Sequence, residues 1–208
     1  SDADSACLAR TWKRRALMNL SDLPYADDVP DLVSRGFSQA ELLYSSAQIT
    51  QAIDRLAVVI TANLQDKNPV LLSVLPGGLY LSGQLMGRLI MPLQIGYVDI
   101  DSGLKDRRGA QLDWHNSNFP ELTGRNVLLV ADVLTRGSTV QTWLDWLKMQ
   151  GVESARCAVM VEIDAASSVA GSTADFVGVL APECAVFGCG LDFCGYGRNL
   201  PELYAAMG

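Results

Sequence analysis

The sequence is short of histidine, of positive charge and of long apolar runs, and each shortage removes a class of function. His115 is the sole histidine among 208 residues. The five cysteines, Cys7, Cys157, Cys184, Cys189 and Cys194, lie far from it, and the last three are spaced by five. That is no common zinc spacing, so a structural zinc site is set aside. The odd set reads as free buried thiols of a reducing, cytoplasmic compartment. Lys and Arg number 16 against 23 Asp and Glu, a formal net charge of -7. Wrapping nucleic acid rests on neutralising phosphates with Lys and Arg, so no nucleic-acid partner is expected. A small anionic substrate stays open, because helix N-termini and backbone N–H groups can outweigh the global charge locally. No apolar run approaches a membrane span, and no charged-then-apolar signal segment opens the chain, so no membrane association is expected. Charged residues make up only 19% against 49% hydrophobic. That is ordinary globular composition, sufficient for one sizeable core.

The chain divides near residue 40. Residues 1–40 carry the basic cluster Lys13, Arg14, Arg15 and then an acidic, Pro-containing stretch from Asp22 to Asp31. They read as a weakly packed lead-in of unknown role, its charges a solvated face. Residues 41–208 read as one compact domain. Ser46 precedes apolar residues at Ile49, Ala52, Ile53, Leu56, Ile60 and Leu64, one face of a helix with Ser at the cap. Val70 to Leu75 is a short continuous apolar run, suited to a strand buried on both faces. Pro76-Gly77-Gly78 breaks it, and Leu79 to Leu89 resumes at helical spacing. Gly83 and Gly87, four apart, are expected to let that helix lie close against a sheet. Leu93 to Ile100 is a second strand. The polar stretch Asp101 to Glu121, with Lys105-Asp106-Arg107-Arg108 and Trp114-His115, reads as a functional flap or mobile loop. Asn126 to Val133, Arg156 to Ile163, Phe176 to Leu180 and Val186 to Leu191 supply further strands. Val140, Trp143, Leu144 and Leu147 mark an amphipathic helix closed by Gly151, with Trp143 and Trp146 used for packing or a subunit contact. Alternation of strand and helix implies an α/β fold with a doubly wound, mostly parallel sheet flanked by helices. No internal repeat is present.

The informative segment is Val127 to Thr139. A buried strand runs into Asp132, then a short turn, Thr135-Arg136-Gly137-Ser138-Thr139, and a helix follows at once. There backbone N–H groups are unpaired, the helix dipole points its positive end outward, and Ser138 and Thr139 add hydroxyl donors. Gly137 allows close approach of an oxygen. This is a phosphate cup at the edge where open α/β sheets bind ligands. Taken alone, the loop is read equally well as a helix start capped by Ser138.

Three ordered segments resemble a known family. Val127 to Thr139 resembles the diphosphoribosyl-binding motif of type I phosphoribosyltransferases. Pro76-Gly77-Gly78 after a buried strand is similar to the pyrophosphate loop of the hypoxanthine-guanine branch. Asp175 to Gly178, Val186 to Phe193 and Arg198-Asn199-Leu200-Pro201 are similar to that branch's purine-binding hood, formed by terminal segments. The resemblance covers roughly residues 42 to 204. It implies transfer of ribose 5-phosphate from phosphoribosyl diphosphate to a purine base, with Mg²⁺, in a homodimer or homotetramer. It implies that Thr135, Arg136, Gly137, Ser138 and Thr139 cradle the 5-phosphate, that Asp132 contacts ribose hydroxyls, and that Pro76, Gly77 and Gly78 face the diphosphate. It further implies that Asp192 sits near the magnesium's water shell, that Arg198 contacts the leaving diphosphate, and that Val186 offers its backbone to the purine edge, beside Asp164 and Ala185. The chain departs from the family in its flap, where Lys105 to Arg108 stand in place of a Ser-Tyr pair, and at four single positions. Ala131 replaces the first acid of the motif, and Thr135 replaces the Asp that poises the purine N7 proton. Asp164 stands where a Lys recognises the 6-oxo group, and Ala185 where an aromatic stacks on the base. The alternative these departures raise is a paralogue that binds a phosphoribosyl compound or nucleotide as a sensor or protein partner without turnover. A DNA-binding regulator on the same fold is disfavoured by the acidic charge.

Overall fold

The computed structural model describes residues 24–99, 117–135, 138–164 and 174–206, with backbone alone at Ser138, Thr139 and Asp164. Val70–Leu75 forms β2, buried almost throughout, as its apolar run, broken only by Ser73, predicts. It lies between β3 (Gln94–Asp99) and β4 (Asn126–Leu134), followed by β5 (Ser154–Asp164) and β6 (Phe176–Pro182), in the order β3-β2-β4-β5-β6. Every pairing is parallel. Strand alternation splits the core in two. Leu71 and Leu128 join Ile49, Ile53, Leu56 and Ile60 of helix α2 (Ser46–Leu64) and Leu81 and Leu85 of α3 (Leu79–Met86) on one face. Val70, Leu72, Val127 and Leu129 join Val140, Trp143, Trp146 and Leu147 of α4 (Ser138–Met149) on the other. The sheet is therefore covered on both faces, the doubly wound arrangement expected. Trp143 meets Trp146 edge-on at 5.9 Å, and Trp146 meets Phe119 at 5.7 Å, so both tryptophans serve packing within the chain.

Helix α2 begins one residue earlier than the sequence suggests. Ser45, not Ser46, caps it, accepting from the Gln48 N–H while Gln48 Oε1 accepts from the Ser45 N–H. The close approach expected of Gly83 and Gly87 does not occur. A Cβ at Gly83 would meet nothing within 4 Å, and at Gly87 only Gln84 O at 4.0 Å.

A second, smaller sheet caps one end. Here β1 (Glu41–Tyr44), β8 (Leu203–Ala205) and β7 (Val186–Phe187) pair antiparallel in that order. Val186 to Leu191 thus does not extend the main sheet. Only two of its residues are strand, and they belong to this hood. Helix α1 (Asp31–Ser38) lies against it, and Val29, Val33, Phe37 and Ala40 share a core with Phe187 and Tyr204. Weak packing of the lead-in therefore does not hold for residues 29–40. Residues 1–23, with their basic cluster, lie outside the described residues.

Because β3 and β4 flank β2 on opposite sides, the chain reverses direction across the sheet between β2 and β4. The carboxyl ends of those two strands form the crevice in which open α/β sheets hold ligands.

Candidate active site

At the end of β2 the Leu75–Pro76 peptide is cis, and Gly78 N–H turns back to Val74 O at 2.7 Å. The turn lies hard against β4. A Cβ on Gly77 would sit 1.9 Å from Asp132 Oδ2, and one on Gly78 would sit 2.4 Å from Val130 O. These two glycines make the close approach, and both are buried. Gly78's N–H is thus already bonded within the turn.

Asp132 stands at the carboxyl end of β4, where a polar residue first interrupts the apolar run. Its Oδ1 accepts the Val133 N–H at 2.8 Å, and its Oδ2 faces Arg198 Nη1 at 3.5 Å. Burial pushes the Asp132 carboxyl above the ordinary carboxylate range; backbone N–H bonds and Arg198 pull the other way and do not prevail. The folded state then holds this proton more tightly than the unfolded chain. Stability contributed here is present below the ordinary carboxylate value of about 4 and is lost as pH rises through the folded value. Asp132→Asn, which carries no such penalty, is expected to gain melting temperature relative to the unchanged protein as pH rises from about 4 to 7. Melting curves of both proteins across that range check this; a gap that stays constant contradicts it.

Arg198 comes from the hood segment after β7. Its Nη1 donates to Gly190 O at 2.6 Å, and its Nη2 pairs with Asp192 Oδ1. Asp192 Oδ2 in turn accepts the Gly195 N–H at 2.6 Å. Gly190 adopts φ +103°, and a Cβ there would lie 2.4 Å from Gly77 O. Only glycine fits where the hood segment crosses the turn after β2. Asp132, Gly77, Gly190, Asp192 and Arg198 thus form one contiguous group drawn from β4, the β2 turn and the hood.

Beside this group lies a cavity of about 240 Å³, lined by Asp132, Val133, Thr135, Ile163, Cys184, Val186, Leu191 and Asp192. Four residues singled out in the sequence, Asp132, Thr135, Val186 and Asp192, meet there. Ala185 is exposed at the hood edge, its carbonyl accepting the Ala206 N–H, and it does not line the cavity. Asp164 ends β5 with its backbone opposite Pro182. Arg136 and Gly137, expected from the sequence to belong to a phosphate cup, lie outside the described residues, as do Asp101, Lys105 to Arg108 and Trp114-His115. Ile163, Cys184 and Leu191 are cavity walls that motif reading passes over. Ile163 had a signal, since it ends a parallel strand at the same sheet edge as Asp132.

Among the described residues the thiols are free, as expected, but not all buried: Cys157 and Cys189 are, whereas Cys184 and Cys194 are exposed, and Cys7 lies outside the described residues. Burial pushes the Cys157 and Cys189 thiols up to about 12 and makes them poor nucleophiles. Tyr80, which shares a hydrogen bond with Cys189, is also raised to about 12, chiefly by burial. Among the described residues, no three His, Cys, Asp or Glu side chains gather into a metal cage. Asp132 and Asp192 do suit a hard cation held by one or two carboxylates and otherwise by water and substrate oxygens, which is how Mg²⁺ is commonly bound. No helix among the described residues is long and apolar enough to cross a membrane.

A carboxylate pair and an arginine stand at the carboxyl edge of a parallel sheet, beside a cavity and next to a helix N-terminus, the place where open α/β sheets hold small ligands. The chain belongs to the phosphoribosyl transferase domain family, whose model matches residues 39–193. It is 28% identical over 162 residues to the hypoxanthine-guanine-xanthine phosphoribosyltransferase of Tritrichomonas foetus, covering 78% of this chain and 88% of that protein. It is 27% identical over 164 residues to the bifunctional protein TilS/HprT of Listeria innocua, of which it spans 25%. A solved structure of a hypoxanthine-guanine-xanthine phosphoribosyltransferase superposes with a TM-score of 0.68 at 26% identity, over 80% of this chain and 93% of that one.

Proposed function

We propose that the chain is a purine phosphoribosyltransferase of the hypoxanthine/guanine type. It moves ribose 5-phosphate from phosphoribosyl diphosphate to a purine nitrogen and releases diphosphate. The observation that carries this reading is the meeting of Asp132, Asp192 and Arg198 beside one cavity at the sheet's switch point, directly before the turn into α4. In the reaction the bond from ribose C1 to the diphosphate oxygen breaks and one from C1 to the purine nitrogen forms, with positive charge developing on the ribose. Asp132 orients the ribose hydroxyls and offsets that charge. Thr135, Arg136, Gly137, Ser138 and Thr139 hold the 5-phosphate on the amides that open α4. Pro76, Gly77 and Gly78 border the diphosphate, and Arg198 takes its negative charge as it departs. Asp192 would hold Mg²⁺, which would supply further charge neutralisation on the diphosphate. Val186 offers its backbone to the purine edge; Val133, Ile163 and Leu191 enclose the ring and exclude water. Asp164 flanks the base, whereas Ala185 lies outside the cavity lining. The protein acts in the cytoplasm as a homodimer or homotetramer.

Thr135 lines the cavity but has no carboxylate, so proton removal from the purine lacks a positioned base. Thr135→Asp is expected to raise turnover by about a hundredfold, the lower end of what a general base supplies. Steady-state kinetics with hypoxanthine and guanine check this, and an unchanged or lower rate contradicts the assignment. The reading itself is tested by thermal denaturation with inosine or guanosine 5′-monophosphate against the phosphate-free nucleosides. At a hundred times the dissociation constant, a ligand specific for the folded state stabilises by about 2.7 kcal/mol. Stabilisation by the nucleotides alone is expected; none from any phosphoribosyl compound contradicts it.

A further inference from the structure

The site carries a cation of its own. Arg198 faces Asp132 with one guanidinium nitrogen and pairs with Asp192 through another, while Gly190 O anchors the first. The three side chains are only 26%, 29% and 33% exposed. Partial shielding makes such a pairing stronger than a surface ion pair of the same geometry. Asp192 has its second oxygen committed to Gly195 N–H. A divalent ion arriving alone therefore meets two carboxylates whose facing oxygens are taken, next to a fixed positive charge.

Diphosphate changes this balance. A planar guanidinium prefers the paired oxygens of a phosphate, with which it forms two parallel hydrogen bonds. We infer that Arg198 is a guard that changes partners: until diphosphate binds, it holds Asp132 and Asp192 and keeps divalent cations out. A diphosphate group then draws it away and frees both carboxylates, one for the ribose and one for the metal's water shell. Metal and diphosphate consequently bind cooperatively, and free metal binds poorly. This inference rests on the transfer reading above, which names the diphosphate. It gives Arg198 a positioning role before chemistry, besides its contact with the departing group. No bond is made or broken in the exchange; only the partners of one cation change.

The test is binding of Mn²⁺, as a paramagnetic stand-in for Mg²⁺, to the full chain, read by electron paramagnetic resonance of the free ion. Arg198→Met is expected to bind Mn²⁺ about tenfold more tightly than the unchanged protein, within the usual span of coupling between two ligands. Arg198→Lys, which keeps the charge but cannot fork to both carboxylates, is expected to fall between them and serves if the Met variant does not fold. Inorganic diphosphate is expected to tighten Mn²⁺ binding to the unchanged protein, beyond the protein-free control, and to tighten it by a smaller factor in Arg198→Met, where only the direct attraction of metal and diphosphate remains. Equal Mn²⁺ affinity in all three proteins, with diphosphate still binding, overturns the guard and leaves the transfer reading intact. Absence of diphosphate binding to the unchanged protein overturns both.

Discussion

Asp132→Asn is expected to lower turnover by about two to three powers of ten while leaving the fold intact. Its carboxylate is the charged group nearest the point where β4 delivers the chain to the cavity, flanked by Gly77 and facing Arg198. Removing one preorganised electrostatic contact to a charge-developing transition state typically costs about this much. The amide keeps the size and can still accept the Val133 N–H, so structural loss is not the cause. Because burial already disfavours the charged form of Asp132, neutral pH is where the variant gains in melting temperature while it loses rate. Opposite movement of the two quantities separates a functional carboxylate from a structural one. Loss of both together contradicts the assignment.

Phe187→Ala is expected to destabilise the protein by about 3–5 kcal/mol, the usual range for truncating a fully buried aromatic. Phe187 is wholly buried at the centre of the hood core, stacked on Phe37 at 4.7 Å and on Tyr204 at 5.5 Å. It joins α1, β7 and β8, three pieces from the two ends of the described chain. It also lies directly before the segment that carries Gly190, Asp192 and Arg198, so the surviving folded fraction is expected to turn over more slowly as well. Guanidinium unfolding followed by circular dichroism gives the free-energy change, and kinetics under native conditions give the rate. A change below about 1 kcal/mol contradicts the view that this ring organises the hood.

The main sheet is legible in the sequence because parallel strands buried on both faces are largely apolar. Val70 to Leu75, broken only by the buried Ser73, and Val127 to Val133, broken only by Asp132, have that form. The hood is not legible as a sheet. Strand β7 has two residues, and β1 pairs with β8, Glu41 opposite Ala205, so no local periodicity records the pairing. Gly83 and Gly87 have helical spacing but face open space. Gly77 and Gly78, which carry no periodic signal, meet β4. Ser45 and Ser46 are chemically equivalent as caps, and only the reciprocal bond to Gln48 separates them. Asp132, Asp192 and Arg198 are each distinguishable by motif. That one guanidinium spans both carboxylates depends on the crossing of Gly190 over Gly77, which only the folded chain shows.

The most direct measurement is release of diphosphate by the purified protein given Mg²⁺, phosphoribosyl diphosphate and, in turn, hypoxanthine or guanine. Release that requires the base and disappears in Asp132→Asn is the predicted result. Absence of release with every purine, from a protein that nucleotides still stabilise, contradicts the transfer and leaves a binder that does not turn over.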